Sequence, residues 1–147
     1  MLYGRRCATS VNPGLLGCSI AEGMHRTHDV VNGRLDPFHT VVRGVEEELS
    51  PIVARTLHDP EVILLGCSFS LENFHPYLIF LLRAPLTQDE VVAKCRENPG
   101  IDYREREPHL RWTHHAEASE WETLLGRGDW DAGCRAAMMR VLEFLRS

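Results

Sequence analysis

At 147 residues, with 44% hydrophobic and 25% charged residues, the chain has the size and composition of one compact domain with an ordinary core. A formal net charge of −5 disfavours nonspecific binding to a nucleic-acid polymer, but leaves open a small anionic substrate held by local arginines or a bound cation. Five cysteines, odd in number and without a CxxC pair, argue against a disulfide framework or structural zinc, and for reduced thiols in a cytoplasmic protein. The longest fully apolar run, residues 77–82, is too short to span a bilayer, and the N-terminal segment lacks the apolar stretch of a signal peptide.

Residues 2–11 read as a first strand. "GLLGCSI" (14–20) reads as a second, opened by the turn signal "NPG" at 12–14. "AEGMHRTHDVVNGRLD" (21–36) has two glycines, two histidines and little periodicity, which suggests a long functional loop. Asp36 is an N-cap residue and Pro37 suits the first helical position. Phe38, Val41, Val42, Val45 and Leu49 then recur at helical spacing and predict one apolar stripe, with Pro51 as the stop. Two nearly continuous apolar runs, 61–70 and 75–84, predict central strands covered on both faces. Residues 87–98 predict a helix with a Thr87/Glu90 capping box. A strand over 108–116 and helices over 118–128 and 129–147 complete the chain, so the class is α/β or α+β.

The chemistry-bearing stretch is "RGVEEELSP" (43–51), in which three glutamates follow an arginine. Such a run is often only a solvated helix face. Its spacing also suits metal chemistry. Positions 44, 47 and 48 share one side of a helix, and Arg43 stands four residues before Glu47, where it can brace the carboxylate. Magnesium takes hard oxygen ligands, and diphosphate hydrolysis needs a cation to neutralise charge and activate water.

This stretch resembles the signature of the Nudix superfamily, G-x(5)-E-x(7)-R-E-U-x-E-E-x-G-U, where U is a bulky aliphatic residue. Arg43, Val45, Glu47 and Glu48 match the R, U, E and E, and "SIAEG" (19–23) is similar to the turn before the family's helix, with Glu22 in a carboxylate position. The likeness covers most of the chain, but its specific identities lie within a short central segment. The resemblance implies a single domain over 1–147, an α/β/α sandwich around a mixed β-sheet. It further implies cleavage of a diphosphate linkage in a nucleotide-derived or related small molecule. Glu47 and Glu48 would hold Mg²⁺ or Mn²⁺ with Glu22 as reserve ligand, and Arg43 would orient the carboxylates. Net charge and the short apolar runs point to no nucleic-acid polymer and no membrane as partner, and a homodimer stays open.

The departures are specific. Gly44 stands where the motif has glutamate, and Ser50 where it has glycine. Leu35 and Asp29 fall on the earlier glutamate and the first glycine. Gly44 removes one of three helical ligands, leaving Glu22 or Glu46 as substitutes and suiting a non-catalytic ligand- or partner-binding module as the rival reading. A biosynthetic enzyme that uses the cleft for other chemistry is a third. With a ligand missing, glutamate restored at position 44 is expected to strengthen Mg²⁺ binding, and to add helix propensity as well. His25, His28, His114 and His115 have spacings that suit metal or phosphate contact but, with no cysteine pair to complete a zinc set, read as surface histidines; His75 opens a strand, where a pocket-facing role and a turn role stand equally open. Cys67 reads as a buried small hydrophobe, and Trp121 and Trp130 as core. Trp112 suits base stacking or core equally. The mixed-charge "YREREP" run reads first as a solvated connection, while the resemblance implies Glu105 or Glu107 as a candidate general base from a distal loop; Arg5, Arg6, Arg34 and Arg83 are candidate phosphate donors or ordinary surface arginines.

Overall fold

The computed structural model describes residues 2–5, 15–18, 20–57, 61–69, 74, 76–103, 110–112 and 118–147. Among them the chain mixes five helices with small sheets. It divides into two compact units. One comprises Met1–Ser19, Leu64–Phe80 and Pro108–Ser147, the other Ile20–Ile63 and Leu81–Glu107.

In the first unit, β1 (Leu2–Arg5) is the middle strand of an antiparallel sheet. β2 (Leu16–Cys18) pairs on one side with Gly4 opposite Gly17, and β7 (Leu110–Trp112) on the other with Gly4 opposite Leu110. The sheet thus joins segments more than a hundred residues apart. α4 (Ala118–Leu125) and α5 (Ala132–Arg146) pack together, and α5 also packs against β2. Asp131 caps α5 by accepting from the Cys134 amide at 3.2 Å. Trp121 and Trp130 are buried, as their apolar patterns predict, and the Trp130 indole donates to the Leu124 carbonyl at 2.7 Å. That bond satisfies a carbonyl at the open C-terminal end of α4.

In the second unit, residues 30–35 are not an irregular loop. β3 (Val30–Val31) and β4 (Arg34–Leu35) form a two-residue hairpin. Asn32 and Gly33 both take positive φ (52° and 76°), which a tight hairpin turn of this kind requires. α1 (Pro37–Glu48) starts at the expected Asp36 cap, whose carboxylate accepts from the Phe38 amide at 2.9 Å. The buried face of α1 differs from the predicted stripe. Val45 and Leu49 are buried and Phe38 is exposed, while Thr40, Gly44 and Glu48, four apart, form a second buried row.

Pro51 does not simply stop α1; it is the first residue of a short helix, α2 (Pro51–Ala54). Ser50 caps this helix, its hydroxyl accepting from the Ile52 amide and donating to the Asn98 carbonyl at 2.7 Å. That bond ties α2 to the end of α3 (Gln88–Glu97), which opens with the predicted Thr87/Glu90 capping box. The last carbonyls of α1 are satisfied from the same region. The Gly100 amide donates to Leu49 at 2.8 Å and the Asp102 amide to Glu47 at 3.0 Å. A Cβ at residue 100 would strike the Glu47 carbonyl oxygen and meet that of Glu46 at 2.6 Å, so glycine is required there.

β5 (Val62–Phe69) pairs with β6 (Pro76–Leu82) in a two-stranded sheet, and the Arg83 amide donates to the Glu61 carbonyl at 2.8 Å. The expectation that both strands are covered on two faces fails. Leu64 is 45% exposed and Phe69 56%, and Tyr77 and Leu78 are exposed too. Cys67, expected in the core, is exposed on β5. No helix among the described residues is long and apolar enough to cross a membrane.

Candidate functional site

Arg43 lies near the middle of α1, and its guanidinium faces the segment that precedes the helix. Nε donates to Asp29 Oδ1 at 2.8 Å and Nη2 to Asp29 Oδ2 at 3.0 Å, a two-pronged pair. Nη2 also donates to the Gly23 carbonyl at 2.8 Å. Nη1 reaches Glu47 Oε2 at 3.0 Å, the i,i+4 contact that the helix spacing predicts, and Glu22 Oε1 at 3.3 Å. Four hydrogen bonds and one further ion pair therefore engage all three nitrogens of the fork. One arginine gathers three carboxylates, two of them from the loop.

Asp29 is fully buried, and its side chain is held on several sides. Besides Arg43 it accepts from the His25 amide at 2.7 Å, while its own amide donates to the His25 carbonyl, closing the 25–29 turn. The Asp36 amide donates to the Asp29 carbonyl at 2.8 Å and closes the base of the β3–β4 hairpin. The Arg43 hydrogen bonds hold the Asp29 carboxyl far below the usual carboxylate range against the opposing effect of burial, with the His25 amide and the Thr40 hydroxyl adding to them. Reciprocally, Asp29 raises Arg43 above its already high value.

Glu48 is 3% exposed; its Oε1 accepts from the Ala21 amide at 3.4 Å. Residues 21 and 22 thus lie against both Glu48 and Arg43. Gly44 explains the close approach. A Cβ at 44 would stand 2.8 Å from Ile20 Cγ2, 3.1 Å from Glu22 Cβ and 3.5 Å from Glu22 Cγ. The Glu22 side chain passes through space that a residue at 44 would claim, so a glutamate on the helix and this loop path exclude each other.

The residues that match the resemblance are therefore brought together. Arg43, Glu47 and Glu22 are in contact, with Glu48 beside them. Glu46, the other substitute, is exposed and takes no part in the Arg43 contacts. Sequence reasoning missed Asp29, treating it only as a mismatch to a glycine. The signal available was an aspartate at the end of a turn, an ordinary place for a side chain that caps backbone amides. Ser50, the other mismatch, is a capping and cross-linking residue, not a site residue. His25 and His28 are exposed as expected, with His25 Nδ1 2.9 Å from Thr27 Oγ1 and the two rings edge to face at 4.4 Å. Arg34 is exposed on β4. The side chains of Arg5 and Trp112, and residues Arg6, His75, Glu105, Glu107, His114 and His115, lie outside the described residues.

Among the described residues no three His, Cys, Asp or Glu side chains stand in a geometry that would hold a metal ion. The donor chemistry nevertheless suits a hard cation. Glu22 Oε2 and Glu47 Oε1 accept no protein hydrogen bond among the described residues, and three carboxylates contact a single guanidinium, with Glu48 against the neighbouring Ala21 amide. Both glutamates contact the same Nη1, so their bonded oxygens lie within roughly 6 Å of each other, whereas ligands of one magnesium ion sit about 2.1 Å from it. A cation would have to draw these oxygens off the arginine nitrogen. No protein-family model, curated protein or solved structure matches this chain.

Proposed function

We propose that the chain is a Nudix-like domain, an α/β/α sandwich in type, whose loop–helix site around Arg43 binds a divalent cation and cleaves a diphosphate linkage in a small molecule. The observation that carries the reading is the convergence on Arg43. Glu22 and Glu47, separated by 25 positions in sequence, meet one guanidinium nitrogen, and Glu48 touches the residue beside Glu22.

In this reading Glu22, Glu47 and Glu48 would hold Mg²⁺ or Mn²⁺, which when bound supplies charge neutralisation and a more acidic water. Arg43 keeps the carboxylates aligned and offsets part of their mutual repulsion before the ion arrives. Glu22 replaces the carboxylate that position 44 lacks, reaching from the loop over the helix surface that Gly44 leaves open. The surplus of negative charge draws a cation first, and a diphosphate follows only once that charge is offset.

The test is a screen of nucleoside-diphosphate compounds for phosphate release with Mg²⁺ or Mn²⁺. Metal-dependent release that Glu47→Gln reduces at least tenfold is the expected result. Inactivity across the screen, with no cation-dependent change in thermal stability, would overturn the reading. One observation favours a second reading, a binding module without metal: the Glu22 and Glu47 oxygens already share Arg43 Nη1, so the cluster is complete without a cation. A ligand that stabilises the protein equally with EDTA and with Mg²⁺ would support that alternative.

A further inference from the structure

Arg43 has two unequal edges. The Nε/Nη2 edge is engaged by one fully buried carboxylate, Asp29, through two bonds of 2.8 and 3.0 Å. The Nη1 corner is shared by Glu22 and Glu47, each through one contact and each partly open to solvent. Exchange with an incoming cation is therefore easiest at Nη1. If Glu22 and Glu47 turn toward a cation, Arg43 loses two single contacts and keeps its bidentate pair. Without Asp29 the guanidinium would have only the two glutamates and the Gly23 carbonyl, and would compete with the cation for the same oxygens.

Asp29 is also joined to every part of the loop that matters. It closes the 25–29 turn, the hairpin base at Asp36 and the bond to α1. Resting on the function proposed above, we infer that Asp29 is the positioning residue of the site. It anchors Arg43 by its Nε/Nη2 edge, so that the Nη1 corner can release Glu22 and Glu47 to a divalent cation. Asp29 does not touch the cation; it acts through Arg43.

The experiment uses the full chain and Mn²⁺ alone as the probe, with affinity read from water-proton relaxation at low temperature, where circular dichroism confirms that each variant is folded. Asp29→Asn is expected to weaken Mn²⁺ binding about tenfold in the wild-type background and less than twofold in an Arg43→Gln background. Unchanged affinity in Asp29→Asn, or an equal tenfold loss in both backgrounds, overturns the positioning role. A structural role alone would lower stability without this dependence on Arg43. The Arg43 Nε–H resonance separates the anchor from the cation reading. It should be protected from solvent exchange in the wild type and in Glu47→Gln, and lose protection in Asp29→Asn. The reverse pattern overturns the anchor. A wild type that keeps the protected resonance and binds no Mn²⁺ overturns the cation function and the positioning role built on it, while leaving the Asp29–Arg43 pair as a loop fastening.

Discussion

Replacing Gly44 with alanine sets two effects against each other. Within a helix, glycine costs about 1 kcal/mol relative to alanine, so propensity alone favours the substitution. The new Cβ would lie 2.8 Å from Ile20 Cγ2 and 3.1 Å from Glu22 Cβ, whereas carbon atoms are at ease near 3.5–4.0 Å. Neither neighbour is the far end of a flexible chain. Ile20 Cγ2 is attached directly to Cβ, and Glu22 Cβ moves only with its backbone, so the 20–22 segment must retreat by roughly 0.7 Å. Overpacking of this kind costs about 1–3 kcal/mol. The net expectation is a loss of about 1 kcal/mol, which for a chain of this size lowers Tm by roughly 2–4 °C in thermal unfolding followed by circular dichroism. Gly44→Glu carries the same Cβ and adds a carboxylate beside Glu22, Glu47 and Glu48, so it should lose more at low salt and recover part of the difference as salt rises. This revises the expectation from the sequence alone, that glutamate at 44 would be stabilising through propensity. A Tm for Gly44→Ala equal to or above that of the wild type would refute the packing account.

Asp29→Asn should cost about 3 kcal/mol at neutral pH, since a half-buried guanidinium loses its fully buried charged partner while keeping two weaker ones. Because the Asp29 carboxyl is held below its ordinary value, its contribution is complete above about pH 4 and is lost as pH falls further. The stability gap between wild type and variant should therefore narrow in acid, and a gap of constant width down to about pH 2.5 would contradict the pairing. Ser50→Ala removes the α2 cap and the donor to the Asn98 carbonyl, and is expected to lower stability by about 1–2 kcal/mol in urea unfolding; a change within 0 to about 0.3 kcal/mol would count against the cap. Gly100→Ala should destabilise more than Ser50→Ala, because the obstructing atoms are backbone carbonyl oxygens at the end of α1; the reverse order would refute this.

What was legible in the sequence was chemistry that acts over a few residues. Asp36 and Thr87 cap helices because their side-chain oxygens reach amides two or three positions on, whatever the rest of the chain does. Arg43 and Glu47 meet because a helix puts i and i+4 together. The β3–β4 hairpin obeyed an equally local rule, and Asn32–Gly33 announced it; histidines and glycines nearby made the segment look irregular. The two apolar runs misled for another reason. Apolar character along a strand records what a surface would gain by burial, not whether another element covers it, and β5 and β6 carry exposed Leu64, Phe69 and Leu78. The pairing of Asp29 with Arg43 was illegible because the two lie fourteen residues apart across a turn and a hairpin, and no periodicity links the two positions.

The two departures at the site have one physical origin. A helix that carries its third carboxylate at position 44 needs the space above that position for the side chain. Here the space is filled by Ile20 and Glu22, and the carboxylate arrives from the loop instead. Bringing a loop glutamate that close requires the loop to be fastened, and the fastening is Asp29, which binds the guanidinium edge that Glu22 and Glu47 leave open. Glycine at 44 and a buried aspartate at 29 are then parts of a single arrangement, and neither is a defect to be repaired alone. Changing Gly44 without freeing the loop adds a clash, and changing Asp29 alone frees a loop that still packs against the bare helix surface at Gly44. The arrangement therefore predicts non-additive behaviour: once Asp29→Asn has loosened the loop, Gly44→Ala should cost less than it does alone, with a coupling of about 0.5–1 kcal/mol in a double-mutant cycle by thermal or urea unfolding. Additive losses would mean that Ile20 and Glu22 are held against α1 by contacts other than Asp29.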